Sequence, residues 1–164
     1  MTFRIALSAV TTVLIVTTAA MAQQAQIAFG GLRADTSLPV EVKADQLSVN
    51  NADGSAVFSG NVLVGQGEMR LAAGEVRVVY APGGKAIQTL FATGGVTITN
   101  VTDAAEAQEA VYSIDSGTVV MTGNVLLTQG ASALSAQKLT INLKTGTGVM
   151  EGGVQTTFVP AGNN

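Results

Sequence analysis

A 164-residue chain with no His and no Cys lacks the groups that carry most side-chain chemistry near neutral pH: the usual general base, the usual metal ligand and the thiolate nucleophile. A Ser nucleophile would need Lys as its base, and Lys43, Lys85, Lys138 and Lys144 all stand in alternating or turn contexts that place them in water. Asp103, Glu106 and Glu109 are near enough in sequence for paired acid and base work. They lie in Thr102–Glu109, an Ala- and Glu-rich stretch that reads as a solvated loop or a single helical turn. Asn50-Asn-Ala-Asp-Gly54 has the oxygen density of a calcium loop, but its Asp-Gly pair reads better as a hairpin turn. The remaining Gly pairs lead into β-branched runs rather than helices, so they do not form a phosphate cradle. The expectation is therefore no catalytic residue, no metal site and no cofactor.

What remains is apolar. On one parity of the alternating segments lie Val40, Val42, Val62, Val64, Met69, Leu71, Val76, Val78, Ile98, Tyr112, Ile114, Val119, Met121, Val125, Leu127, Leu134, Leu139, Ile141 and Leu143. Period-2 alternation puts such residues on one face of a sheet. That face either packs on itself as a closed core or splays to leave a groove for an elongated apolar guest.

The elements that must position this face repeat. Phe58-Ser-Gly-Asn-Val62 returns as Ala92-Thr-Gly-Gly-Val96, Met121-Thr-Gly-Asn-Val125 and Met150-Glu-Gly-Gly-Val154, at intervals of 34, 29 and 29 residues, a spacing typical of stacked supersecondary units. The segment from Phe58 to Leu71 is echoed in register by Met121 to Leu134. Each Gly-Asn or Gly-Gly reads as a turn where the chain reverses. Val40–Lys43 is the expected first strand, after a lead-in without periodicity. Short strands then follow at 46–49, 56–59, 62–64, 68–72, 75–80, 87–91, 96–98, 111–114, 119–121 and 125–127. About a dozen such strands make the class all-β: a sandwich, a jellyroll or a solenoid.

Composition agrees. Residues of the apolar set make up 47% of the chain but aromatics only 4%, with no Trp, so the interior must be filled by Val, Ala, Leu and Ile, the side chains that suit pleated sheet. Residues 1–22 have a basic start at Arg4, an apolar run and an Ala20-Met-Ala22 box, the pattern of a cleaved secretory leader. Without Arg4, the 11 acidic residues outweigh the remaining basic ones for a net charge of about −4, which argues against nucleic acid. The expected divisions are a leader at 1–22, a lead-in at 23–38, one β domain at 39–160 and a tail at 161–164. An exported chain without Cys must be held by burial and backbone pairing alone.

Several of these segments together resemble the OstA-like (LptA) family. They are Ala44-Asp-Gln-Leu47, Phe58-Ser-Gly-Asn-Val62 followed by Gln66-Gly67, Leu71-Ala-Ala-Gly-Glu-Val-Arg-Val78, Tyr112, Thr122-Gly-Asn-Val125 with Gln129-Gly130, and Leu139-Thr-Ile-Asn-Leu143. The resemblance covers Leu38 to about Pro160. It implies an all-β, twisted, V-shaped jellyroll of a dozen or more antiparallel strands. It also implies a non-enzymatic periplasmic protein that holds the lipid A acyl chains of lipopolysaccharide inside the V. Such proteins join end to end by strand addition, bridging the inner-membrane export complex to the outer-membrane translocon. On this sequence the lining would include Val40, Val42, Ile98, Tyr112 and Ile114. The 40–43 strand would meet an LptC-like inner-membrane protein or another copy, and Gln155–Val159 the next copy or an LptD-like outer-membrane protein. The acidic excess would leave the phosphorylated headgroup outside, and Arg70 and Lys138, near the rim, are not expected to clamp its phosphate. The rival readings are an LptC-like component held by an uncleaved N-terminal helix, and a purely structural exported β-repeat protein with a closed core.

Overall fold

Small and β-branched side chains that alternate with polar ones bury one face of an extended backbone and wet the other. In this chain that pattern builds a single sheet. The computed structural model describes residues 25–28 and 32–157, apart from Asp53 and Lys85. Its 13 strands form one continuous sheet in which every pair recorded is antiparallel. They are β1 (Ala25–Ala28), β2 (Glu41–Lys43), β3 (Gln46–Asn50), β4 (Ser55–Gln66), β5 (Met69–Tyr80), β6 (Ile87–Thr93) and β7 (Val96–Thr99). After these come β8 (Asp103–Ala107), β9 (Glu109–Ser113), β10 (Thr118–Gln129), β11 (Ser132–Asn142), β12 (Thr147–Glu151) and β13 (Gln155–Thr157). The class and the jellyroll architecture match the expectation.

One fold line divides the sheet into two leaves. The first leaf runs from β3 through 55–59 of β4, 75–80 of β5, β6, β9, 118–122 of β10, 138–142 of β11 and β12 to β1. The second runs from β2 through the other halves of β4 and β5, β7, β8, and the other halves of β10 and β11, to β13. The leaves therefore arise from one bent sheet, not from two separate sheets that splay.

The four Gly-Asn and Gly-Gly pairs lie on this line, and here the structure corrects the expected role. They do not reverse the chain. Gly60–Asn61 is a bulge inside β4, between the pairs Ser59↔Glu75 and Val62↔Ala73, and Gly123–Asn124 is its counterpart in β10. The segments expected as separate strands at 56–59 and 62–64 are thus one 12-residue strand, as are those at 119–121 and 125–127. Likewise 68–72 and 75–80 join as β5. Gly60 and Asn61 take φ of 78° and 47°, a left-handed conformation that Gly and Asn adopt most readily. Asp45 packs against the bend: its N–H donates to Gly60 O at 2.9 Å, and its Oδ2 accepts from Asn61 Nδ2 at 2.8 Å.

Two further expectations are revised. Thr102–Glu109 is not a loop or turn but contains β8 and the start of β9, because Asp103, Ala105 and Ala110 bury themselves in the alternating manner of a strand. The lead-in contributes β1, which pairs with β12 from Ala25↔Met150 to Ala28↔Thr147, so the 40–43 strand is not the first. Val40 itself stands just before β2 rather than within it. The leader at 1–22, the last two residues of the expected 155–159 strand and the tail at 161–164 lie outside the described residues.

Candidate functional site

Strand partners in a sheet share a face, so the register assembles the inward side chains into rows. Across the first leaf one row reads Leu47, Phe58, Val76, Ala92, Ala110, Met121, Leu139 and Met150. The next reads Val49, Ala56, Val78, Leu90, Tyr112, Val119 and Ile141. The second leaf answers with Val42, Val64, Leu71, Ile98, Ala105, Leu127 and Leu134. The rows face each other across one apolar interior that runs the length of the molecule.

All the residues assigned to the apolar face fall in or against a single cluster. Val62, Val64, Met69, Leu71, Val76, Val78, Ile98, Tyr112, Val119, Met121, Val125, Leu127, Leu134, Leu139, Ile141 and Leu143 are buried, while Val40, Val42 and Ile114 are half-buried at its margin. Within β5 the inward parity changes between Leu71 and Val76, where Gly74 and Glu75 are both exposed as the strand crosses the fold line. The separate alternations of 68–72 and 75–80 already carried that change.

The interior is nearly free of charge. Among the described residues the buried polar side chains are Ser55, Gln66 and Asp103, all at strand ends away from the fold line. Thr102 Oγ1 and Gln129 Nε2 both donate to the Asp103 carboxylate, at 3.1 Å each. Gln66 Oε1 accepts from the Tyr112 hydroxyl at 2.6 Å, a bond that joins the two leaves across the interior. Burial pushes the Tyr112 hydroxyl up to about 12, so it stays a neutral donor. Among the described residues no group of three or more His, Cys, Asp or Glu could hold a metal ion.

The described cations lie outside. Lys138 pairs with Glu151 at 3.1 Å on the outer surface. Arg70 donates to the carbonyls of Gly67 and Met69 and borders an outer-face depression with Leu38, Glu41, Lys43 and Leu63. Arg77 stacks over the Phe91 ring at 4.2 Å.

The residue reading missed part of the site. Leu47 and Val49 continue the inward rows onto the end strand β3, yet remain 56% and 60% exposed because, among the described strands, β3 has a partner on one side only. Their alternation with Gln46 and Ser48 was the available signal. Gln66 follows Val62 and Val64 on the same parity and could have been found the same way. Leu32, 1% exposed inside the cluster, sits in an aperiodic stretch that carried no signal. The two ends of the interior differ: β3 leaves the first rows open, whereas β1 covers β12, and Met150 is fully buried.

Comparison with known proteins agrees with this geometry. The solved structure of LptH from Pseudomonas aeruginosa, described as the LptA homologous periplasmic component of the conserved lipopolysaccharide transport device, superposes with a TM-score of 0.69. The match is at 16% identity over 77% of this chain and 99% of that one, which establishes the fold. An uncharacterized protein of Rhizobium meliloti (strain 1021), R00383, is 25% identical over 114 residues, 65% of this chain and 61% of that protein, so the chain spans less than two thirds of that relative. A family model described as "LptA/(LptD N-terminal domain) LPS transport protein" matches residues 41–147, from the start of β2 to the start of β12. By that match, which takes in well over half of its length, the chain belongs to the LptA/LptD N-terminal domain family of lipopolysaccharide transport proteins, a family of carriers rather than enzymes.

Proposed function

We propose that this protein is a periplasmic carrier that shields the acyl chains of lipopolysaccharide between its two leaves and passes them along by docking end to end with neighbouring β-jellyrolls. The observation that carries the reading is the open end of the interior. Leu47 and Val49 face inward on the edge strand β3, which pairs with β4 alone among the described strands, and are more than half exposed, although large side chains on a core face are normally covered. A neighbour whose strand pairs with β3 or β2 would extend both the sheet and the apolar rows, which is strand addition put to use.

The physical chemistry suits the task. Each CH₂ moved from water into such an interior contributes about 0.8 kcal/mol, so acyl chains need no ionic site, and the interior offers none. The phosphorylated headgroup stays outside the mouth. An LptC-like inner-membrane protein or a second copy is the expected partner at the β2–β3 end, and an LptD-like outer-membrane protein or the next copy at the β13 end. The leader pattern at residues 1–22 and the periplasmic setting of LptH both support export to the periplasm.

Photo-crosslinking tests the reading. A benzophenone side chain at Val42 or Leu47, both inward, is expected to capture lipopolysaccharide, and one at Lys43 or Ser48, outward on the same strands, is not. Equal labelling of both sets would return the interior to a closed core. Docking is checked separately by sedimentation at increasing concentration. Leu47→Lys combined with Val49→Lys puts two charges on the open rows and should abolish any lengthening of the wild-type assembly.

A further inference from the structure

Leu32 to Val40 connects β1 at the edge of the first leaf to β2 at the edge of the second, and it joins no strand ladder on the way. It runs along the mouth, opposite the fold line, and is held from both sides. Ala34 N–H donates to Leu143 O on the first leaf at 3.0 Å, and the Asn100 side-chain amide on the second leaf donates to Arg33 O at 2.8 Å. Gln66 Nε2 donates to Thr36 O at 3.1 Å and to Leu38 O at 2.8 Å, while the same side chain accepts from Tyr112 across the interior. Leu32 is buried in the apolar cluster.

We propose that this segment is a displaceable strap. It occupies the mouth through which an acyl chain would enter, with Leu32 standing where part of that chain would lie, and it swings outward on its two ends as lipid arrives. The inference rests on the reading of the interior as a lipid site. Three features favour the strap as the part that yields. The walls are tied to one another by continuous ladders, such as the ten partner positions between β10 and β11, whereas the strap is held by a few isolated bonds. It is tethered at β1 and β2, so it can leave and return without unthreading. Its carbonyls are gripped by Gln66, which after release offers an amide donor at the mouth to the ester and amide carbonyls of an acylated sugar. Gln66 and Tyr112 thus act as positioning residues, holding the strap first and the ligand's polar linkages afterwards.

A reversible lock tests this. The sequence has no Cys, so Arg33→Cys with Asn100→Cys creates a lone pair of thiols, one on the strap and one on the second leaf. The probe is purified lipopolysaccharide without O-antigen. The reduced variant has lost the Asn100 bond to the strap and should bind at least as tightly as wild type, and the oxidised variant at least about tenfold more weakly than the reduced one. Equal affinity in the two redox states, with the disulfide verified by mass, would overturn the strap while leaving the carrier reading intact. If neither the wild type nor the reduced variant binds, the carrier reading fails and the strap falls with it. Amide hydrogen exchange on the wild-type protein decides the matter without the disulfide. Adding lipopolysaccharide should speed exchange at Ala34 while leaving the β10–β11 ladder protected, and an Ala34 amide that stays equally protected while lipid binds would sink the proposal.

Discussion

At the fold line the two leaves are joined by the chain itself. β4 and β10 cross it through Gly60–Asn61 and Gly123–Asn124, and Gln108 and Gln137 lie across it, with backbone bonds from Gln108 N to Gly123 O and from Gln137 N to Gly152 O. At the mouth, by contrast, the strands end in separate hairpins, and beyond the shared apolar packing the hydrogen bonds described between the leaves there run through the strap and the Tyr112–Gln66 pair. The first closure is made of backbone conformation and is built into every long strand. The second is made of side chains and a few hydrogen bonds, so it can be undone without breaking a ladder. If the interior takes an acyl chain as proposed, the seam at the fold line is the one to stay shut and the seam at the mouth the one to yield.

The sharpest way to break this contrast is to strain the permanent seam. Gly123 has φ +85°, and a Cβ there would stand 2.7 Å from Gln108 Oε1 and 2.9 Å from Gln108 Cβ. Gly123→Val combines left-handed strain with overpacking and should cost about 2–6 kcal/mol in urea unfolding. A loss under about 1 kcal/mol would mean that the bend does not depend on backbone freedom.

The next test compares wall with strap. Leu71→Ala removes a buried wall side chain from a two-sided ladder and should cost about 2–5 kcal/mol. Leu32 is as deeply buried, but in a segment that joins no strand ladder and is proposed to detach, so Leu32→Ala should cost about 1–2 kcal/mol globally, toward the low end of the transfer value for a full Leu. Equal losses would place the strap in the same cooperative unit as the walls.

Tyr112→Phe probes the side-chain bond at the mouth. It leaves Gln66 Oε1 without its donor and should cost about 1–3 kcal/mol. It also has a pH signature. Burial raises the Tyr112 pKa from 10.0 to about 12, so as pH climbs the unfolded chain gives up this proton before the folded one. The stabilisation of the neutral hydroxyl is complete below pH 10 and lost as pH rises through about 12. Stability of the wild type should therefore fall more steeply over that window than that of the Phe variant, and parallel curves would contradict the assignment. The smallest effect is expected at the outer surface. Lys138→Ala breaks an exposed pair with Glu151 and should change stability by about 0–1 kcal/mol, less in high salt.

The order of residues along the chain was enough to reveal the all-β class, most of the inward-facing residues and the four Gly-pair positions at which the chain bends. Alternation is a local property, read from neighbours two apart, and the Gly-Asn and Gly-Gly pairs announce left-handed backbone wherever they fall. Whether such a pair reverses the chain or only bends it depends on what the flanking segments pair with. At Gly60 both flanks pair with β5, so the chain continues. Thr102–Glu109 misled for the same reason: Ala and Glu favour no strand by themselves, and the segment is extended because β7 and β10 lie on either side of β8. Leu32 meets its surroundings near Leu143 only after the sheet has bent, and Gln66 meets Tyr112 only once the leaves face each other. Side chains distant in sequence are brought together by burial of the whole face, a collective gain that no short window records. The walls and the bend between the leaves could therefore be read from local pattern, while the bonds across the mouth came into being with the fold.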